Sequence, residues 1–325
     1  MIRKGLLVIA VVLITLSCKD GNKKGHRVIP ESSGPLNTVA VVIENEKWEG
    51  RLGQAVRNVL AAPIDGLPQD EPLFSLKQIP PHVFTGFSRI NRDIIKIELG
   101  EAGVTIQDNV YARPQKFIVV SGANIQEIEE QLQANAQTIV KAFKVEEIAE
   151  KQRRIRKSLF PATSLKKKLG VDIQYSTAYR ISKDEDNFFW MRKDIPTGYT
   201  NLLVYDIPLN SLKDKDSLVS RIVKIRDSIG QKYIPGPTDG SYMITEKAYA
   251  PHLFETTLDN KPAWEVKGLW EVQNAFMSGP FITYIIEDKD NNRYVVAEGF
   301  AYAPSIEKRE HVFELEAMIK SIKID

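Results

Sequence analysis

The sequence predicts an α+β fold: mainly antiparallel sheets with helices packed on them, in two layered subdomains. The 325 residues carry 43% hydrophobic and 26% charged side chains, a soluble globular composition long enough for one or two domains. Strand-length runs follow one another from Tyr242 to Ala301 with only short turns between them, too closely for the helical crossovers of parallel pairing. In both halves a run of strands precedes a late helix, which disfavours a doubly wound parallel sheet.

The first element is an address. Arg3 and Lys4 precede an apolar run from Leu6 to Leu16, the proportions of a secretory signal and well short of the roughly twenty residues a membrane helix needs. Cys18, the one cysteine, follows at once. Thr15-Leu16-Ser17-Cys18 resembles the lipobox of bacterial lipoproteins, with Thr15 where a leucine is usual. The resemblance implies cleavage of residues 1–17 and a diacylglycerol on Cys18; the alternative is an ordinary signal peptide with an incidental cysteine. Lys19-Asp20 resembles part of a surface-export signal. Residues 18–36 are rich in Gly, Ser, Pro and Lys without apolar periodicity and read as a flexible tether.

Residues 37–160 form the first subdomain. Thr38 to Ile43 is a β-branched strand, and Trp48 to Leu60 places Leu52, Val56, Val59 and Leu60 at helical spacing. Five prolines between Ala61 and Pro81 predict a long connection. Asp93 to Leu99 and Val104 to Val110 read as strands joined by the turn Gly100 to Gly103, and Lys116 to Ser121 as a third. Asn124 with Glu127 is a capping box opening a helix to about Lys144 or beyond. The basic clusters Lys151 to Lys157 and Lys166 to Lys168 read as a solvated face and hinge.

Residues 161–325 form the second. Ile173 to Ile181, Asn187 to Arg192 and Thr200 to Ile207 read as strands, and Asp216 to Ile229 as an amphipathic helix closed by Gly230. Five strands follow as an antiparallel meander: Tyr242 to Ala248, His252 to Leu258, Ala263 to Val272, Phe281 to Glu287 and Tyr294 to Ala301. Ser305 can cap a last helix with Val312, Leu315, Met318, Ile319 and Ile322 inward.

Specific strings carry a family resemblance: Trp48-Glu49-Gly50, Gly66-Leu67-Pro68-Gln69, Glu71-Pro72-Leu73-Phe74, Asn187-Phe188-Phe189-Trp190, Arg226-Asp227-Ser228-Ile229, Tyr233-Ile234-Pro235-Gly236-Pro237, Gly268-Leu269-Trp270 and Gly279-Pro280-Phe281. Over nearly the whole mature chain it resembles the domain-of-unknown-function 4837 family of Bacteroidota lipoproteins. That implies envelope residence and brings no activity, cofactor or catalytic residue.

Chemistry is sparse. Forty-four basic against 42 acidic residues argues against nucleic acid, and the excess vanishes once residues 1–17 take away Arg3 and Lys4. A lone cysteine excludes a disulfide framework and paired-thiolate zinc. Asp288, Asp290 and Asn292 have calcium-loop spacing, but Arg293 stands where Gly is needed, and a hairpin turn explains them. His26, His82, His252 and His311 are far apart. Ser241, beside Asp239, sits among turn formers rather than in a nucleophile elbow. No metal or cofactor is expected. Phe188, Phe189 and Trp190 cannot all face one side of a strand, whereas Trp264 and Trp270, six apart, share a face. They pack in the core or form an aromatic platform for a glycan or peptide. The expectation is a lipid-anchored outer-membrane protein, periplasmic or exposed, that is a non-enzymatic binding or scaffold module for an envelope protein or glycan. Its candidate binding residues are Trp190, Trp264, Trp270, Pro235, Gly236 and Asp239. The alternative is an envelope hydrolase using carboxylates among Glu71, Asp186 and Asp239.

Overall fold

A computed structural model describes residues 29–212 and 217–325. The signal segment, Cys18 and the tether up to residue 28 lie outside the described residues. From Pro30 the tether is docked: Arg113 N donates to Pro30 O (2.8 Å) and Ser33 N to Ile90 O (2.8 Å). Composition conceals this because the pairing is backbone to backbone.

The first half is a five-stranded sheet in the order β2 (Ser75–Ile79), β1 (Thr38–Val42), β3 (Asp93–Leu99), β5 (Lys116–Gly122), β4 (Gly103–Asp108). Only the β4–β5 pairing is antiparallel; the other three are parallel, unlike the antiparallel expectation for this half. Strand β2 also lies inside what reads as an irregular connection. Nor do β3 and β4 form a hairpin, because β5 lies between them. The apolar Phe117 to Val120 take the buried position and the polar Thr105, Gln107 and Asp108 the edge.

Helices α1 (Asn45–Glu49), α2 (Arg51–Leu60), α3 (Ile125–Ala134) and α4 (Ala136–Arg156) follow the strands they succeed. Leu52, Val56 and Leu60 of α2, Ile128 and Leu132 of α3, and Ile139 and Phe143 of α4 pack on Val39, Val41, Ile95, Ile118 and Val120. The first arm of the capping box is formed, Glu127 N donating to Asn124 Oδ1 (3.0 Å), while the Glu127 carboxylate reaches one residue further back and accepts from Ala123 N (3.0 Å). The single helix expected from Asn124 is two, broken at Asn135, and α4 continues past Lys144 to Arg156. Ile148, packed with Phe313 and Ala317, and Ile155 in the core of the second half hold that extension together with the bond from Gln152 Nε2 to Ala317 O (2.9 Å).

The second half is an antiparallel sheet in the order β10 (Met243–Thr245), β12 (Lys261–Val272), β13 (Ala275–Asp288), β14 (Arg293–Tyr302), β9 (Gly198–Pro208), β8 (Phe188–Ile195), β7 (Arg180–Asp184). Strand β11 (His252–Leu258) also pairs with β12. Short helix α5 (Thr163–Leu169), the β6 (Val171–Asp172) segment and helix α7 (Arg309–Ile319) cover one face. Residues 173–179, expected as strand, are irregular and place Tyr175 and Tyr179 in that core. Helix α6 (Leu218–Tyr233) covers the other face, and β15 (Lys323–Ile324) closes on β6. Alternation sorts the aromatics: Phe188 stacks on Tyr233 (3.9 Å) beneath α6, while Phe189 packs into the α7 core.

Two expected helix signals act differently. Gly230 does not end α6; it lets the helix approach β10, where a Cβ would lie 2.0 Å from Met243 O. Ser305 does not cap α7. The Glu71 carboxylate, 4% exposed, accepts from Lys308 N (2.8 Å) and Arg309 N (2.7 Å), placing a negative charge at the helix N-terminus. The 61–81 connection is therefore a joint between the halves.

Within the first half lies a buried acid cluster. Glu147 of α4 accepts from Arg92 Nε (2.5 Å) and Asn37 N. Neither oxygen of Asp93 receives a donor, and burial first, then the Glu147 charge, hold its carboxyl well above the usual range. Asp93 thus keeps its proton, which Glu147 can accept. Because the unfolded chain releases that proton near pH 4, stability falls as pH rises above that value. Asp93→Asn should flatten the decline, raising the melting temperature more at pH 8 than at pH 5.

Candidate functional site

Helix α6 covers only the middle of its sheet face. Beyond its C-terminal end, a cleft of about 330 Å³ opens between the face and the turn that follows the helix. Strand register places the lining. One rung runs Arg192, Asn201, Phe300, Phe281; the next runs Asp194, Tyr199 and Tyr302. Trp270 lies opposite Gly279. With no side chain there, the indole crosses β13 to donate from Nε1 to Ala301 O (3.2 Å) and to meet Phe300 at 5.4 Å. A Cβ on Gly279 would sit 2.1 Å from Ala301 O, so this crossing requires glycine.

Trp270, Phe300, Met243 and Ile234 make a buried floor, and half-buried Trp190, Arg192, Tyr199 and Met277 form the rim with exposed Pro235 and Pro237. The rim is ordered in advance. Trp190 Nε1 donates to Asn201 Oδ1 (2.8 Å), and the Arg192 guanidinium lies 3.8 Å over the Tyr199 ring while Nε reaches Asp194 (3.2 Å). Burial raises the Tyr199 phenol against the Arg192 charge, keeping it a neutral donor and acceptor. Such a site offers rigid aromatic faces beside a cation, the furniture of a ligand pocket rather than of proton transfer.

Four of the sequence-derived candidates, Trp190, Trp270, Pro235 and Gly236, meet in this cleft. Trp264 shares the face of Trp270 but sits three rungs away, about 20 Å along the strand, at the opposite end. Asp239 is exposed on the turn outside the lining. Cys18 lies outside the described residues. Arg192, Tyr199 and Met277 were not singled out by sequence; the alternation of β8 would have placed Arg192 beside Trp190.

The other candidate groups are engaged elsewhere. Ser241 Oγ donates to Thr238 O (2.6 Å) and accepts from Thr238 N (3.1 Å), which locks the turn. Asp288, fully buried, accepts from Arg293 Nε (2.8 Å) and Asn291 Nδ2 (2.9 Å) in its hairpin. No group of three or more His, Cys, Asp and Glu capable of holding a metal occurs among the described residues. Both basic clusters are solvated: Arg153 and Arg154 pair with Glu150 (2.6 and 2.7 Å), and Lys168 with Asp184 (3.0 Å). Burial alone would raise Glu150, but the two arginines outweigh it and hold it at about 2.

Residues 158–321 match the family model described as Domain of unknown function (DUF4837), and residues 32–156 match Domain of unknown function (DUF8532). No curated protein matches the chain. Among solved structures it is similar to the Saccharomyces cerevisiae Ran-binding protein Mog1p at 11% identity and a TM-score of 0.32, covering 47% of this chain and 89% of that one. A mutant of Mog1 matches at the same identity and TM-score, with 90% of that chain covered.

Proposed function

The chain belongs to the DUF4837 family, and from that premise we propose that it is a non-enzymatic binding module of the cell envelope, lipid-anchored at Cys18, whose cleft at Trp190 holds a glycan strand. The observation that carries the reading is the cleft itself, which gathers Trp190, Tyr199 and Trp270 with Arg192 under a proline-walled turn. Clamped aromatic rings present sugar-sized apolar faces at little entropic cost, and Arg192 supplies donors for hydroxyl or carboxylate groups. The carboxylates considered for hydrolysis support the same side: Glu71 caps a helix, and Asp186 and Asp239 are exposed.

The anchor rests on the apolar run ending at Ser17-Cys18. Several acyl chains on one cysteine hold a soluble domain to a membrane, each buried CH₂ contributing about 0.8 kcal/mol. Labelling cells with a palmitate analogue should mark the protein and fail to mark Cys18→Ala; equal labelling of the variant contradicts the anchor. For the cleft, the full chain in detergent should sediment with purified peptidoglycan sacculi, and Trp190→Ala should weaken retention about tenfold, the scale of one aromatic anchor. Retention equal to wild type in that variant contradicts the site.

A further inference from the structure

The opposite end of the same sheet face carries a second cavity, of about 350 Å³, which the binding cleft does not use. Two neighbouring rungs build it. In one, Glu255 of β11 stands directly across from Trp264; in the next, Glu287 of β13 stands directly across from Tyr294. Because Trp264 pairs with Ile285, Glu287 lies two residues on and diagonal to the indole, on the same face. The two rings meet at 5.6 Å and 46°, with Leu212 and Pro262 completing the wall.

The polar groups here are underused. Tyr294 is 6% exposed, yet its hydroxyl makes no hydrogen bond among the described residues. The ring is buried, but the hydroxyl is not among the sealed polar atoms, so it stays open to the cavity and to a ligand donor. Burial and then the Glu287 charge raise that phenol, so its oxygen is available as a neutral acceptor. Glu255 is exposed and makes no ion pair among the described residues. Among the described residues Glu287 pairs only with Lys289 at 3.4 Å, and that lysine is 72% exposed, a surface contact easily displaced.

We propose that this cavity binds a primary alkylammonium group, such as the end of a lysine-like side chain. Aromatic faces attract cations, two carboxylates supply the opposite charge, and the three N–H donors of an ammonium match Glu255, Glu287 and the Tyr294 oxygen. An anion would meet two like charges, and a neutral alkyl group would leave the phenol and both acids unanswered.

The test titrates the full chain, with ¹⁵N-labelled indoles, against cadaverine, choline and 1-pentanol. Cadaverine should move the Trp264 indole resonance saturably, with choline at least about fivefold weaker and 1-pentanol inert, and added salt should weaken the response. Glu255→Gln and Glu287→Gln should each weaken cadaverine about fivefold while leaving the melting temperature unchanged. No cadaverine response, an equal response to choline or 1-pentanol, or an undiminished response in the double Gln variant would overturn the proposal. The wild-type comparison of three probes stands without any variant.

Discussion

Replacing Arg226 by Met is expected to destabilise the protein by about 3–5 kcal/mol, the largest single effect foreseen. Arg226 of α6 and Glu298 of β14 are 3% and 1% exposed, and Nη2 meets Oε1 at 2.8 Å. The guanidinium also donates to Thr245 Oγ1 (3.0 Å) and lies 3.9 Å over the Phe281 ring, while Thr283 Oγ1 supports the same carboxylate (3.1 Å). Removing the arginine strands a buried charge whose Coulomb partner had offset its desolvation. Arg226→Met with Glu298→Leu removes both charges, and should recover most of the loss because a well-packed apolar pair is often no worse than a buried ion pair. Denaturant unfolding of the wild type and the two variants measures this; a single variant as stable as wild type would contradict the burial of Glu298. Since α6 positions the wall of the cleft, the single variant should also loosen the turn at Pro235.

Glu71→Ala should cost about 2–4 kcal/mol. It removes the acceptor of two buried amides, Lys308 N and Arg309 N, at the start of α7. Arg309 keeps its bonds to Pro72 O (2.9 Å) and Ser75 Oγ (3.0 Å), so the joint weakens without separating. Hydrogen exchange at residues 308 and 309 should accelerate while the amides of β1 and β3 hold. Uniform acceleration would mean that the halves unfold as one unit.

Where side-chain period decides structure, the sequence was readable. The alternation of Phe188, Phe189 and Trp190, the shared face of Trp264 and Trp270, and the meander from β11 to β14 follow from residues two apart facing one way. Partners distant in sequence were not. The parallel pairing of β1 with β2 and β3, the place of β5 between β3 and β4, and the cap on α7 from Glu71, 237 residues earlier, depend on contacts that no local pattern records. The cleft was half legible for the same reason. Its tryptophans and turn prolines stood out by type, whereas Arg192 and Tyr199 acquire meaning only when β8 and β9 align them.

The chain has four tryptophans: Trp190 and Trp270 report the cleft through their indole N–H resonances, and Trp48 and Trp264 two other places. Adding solubilised peptidoglycan strands to the ¹⁵N-labelled protein tests the cleft most directly. Binding there predicts saturable movement of the Trp190 and Trp270 resonances with Trp48 unmoved. Movement of Trp48 alone, or no movement at saturating glycan, would contradict it.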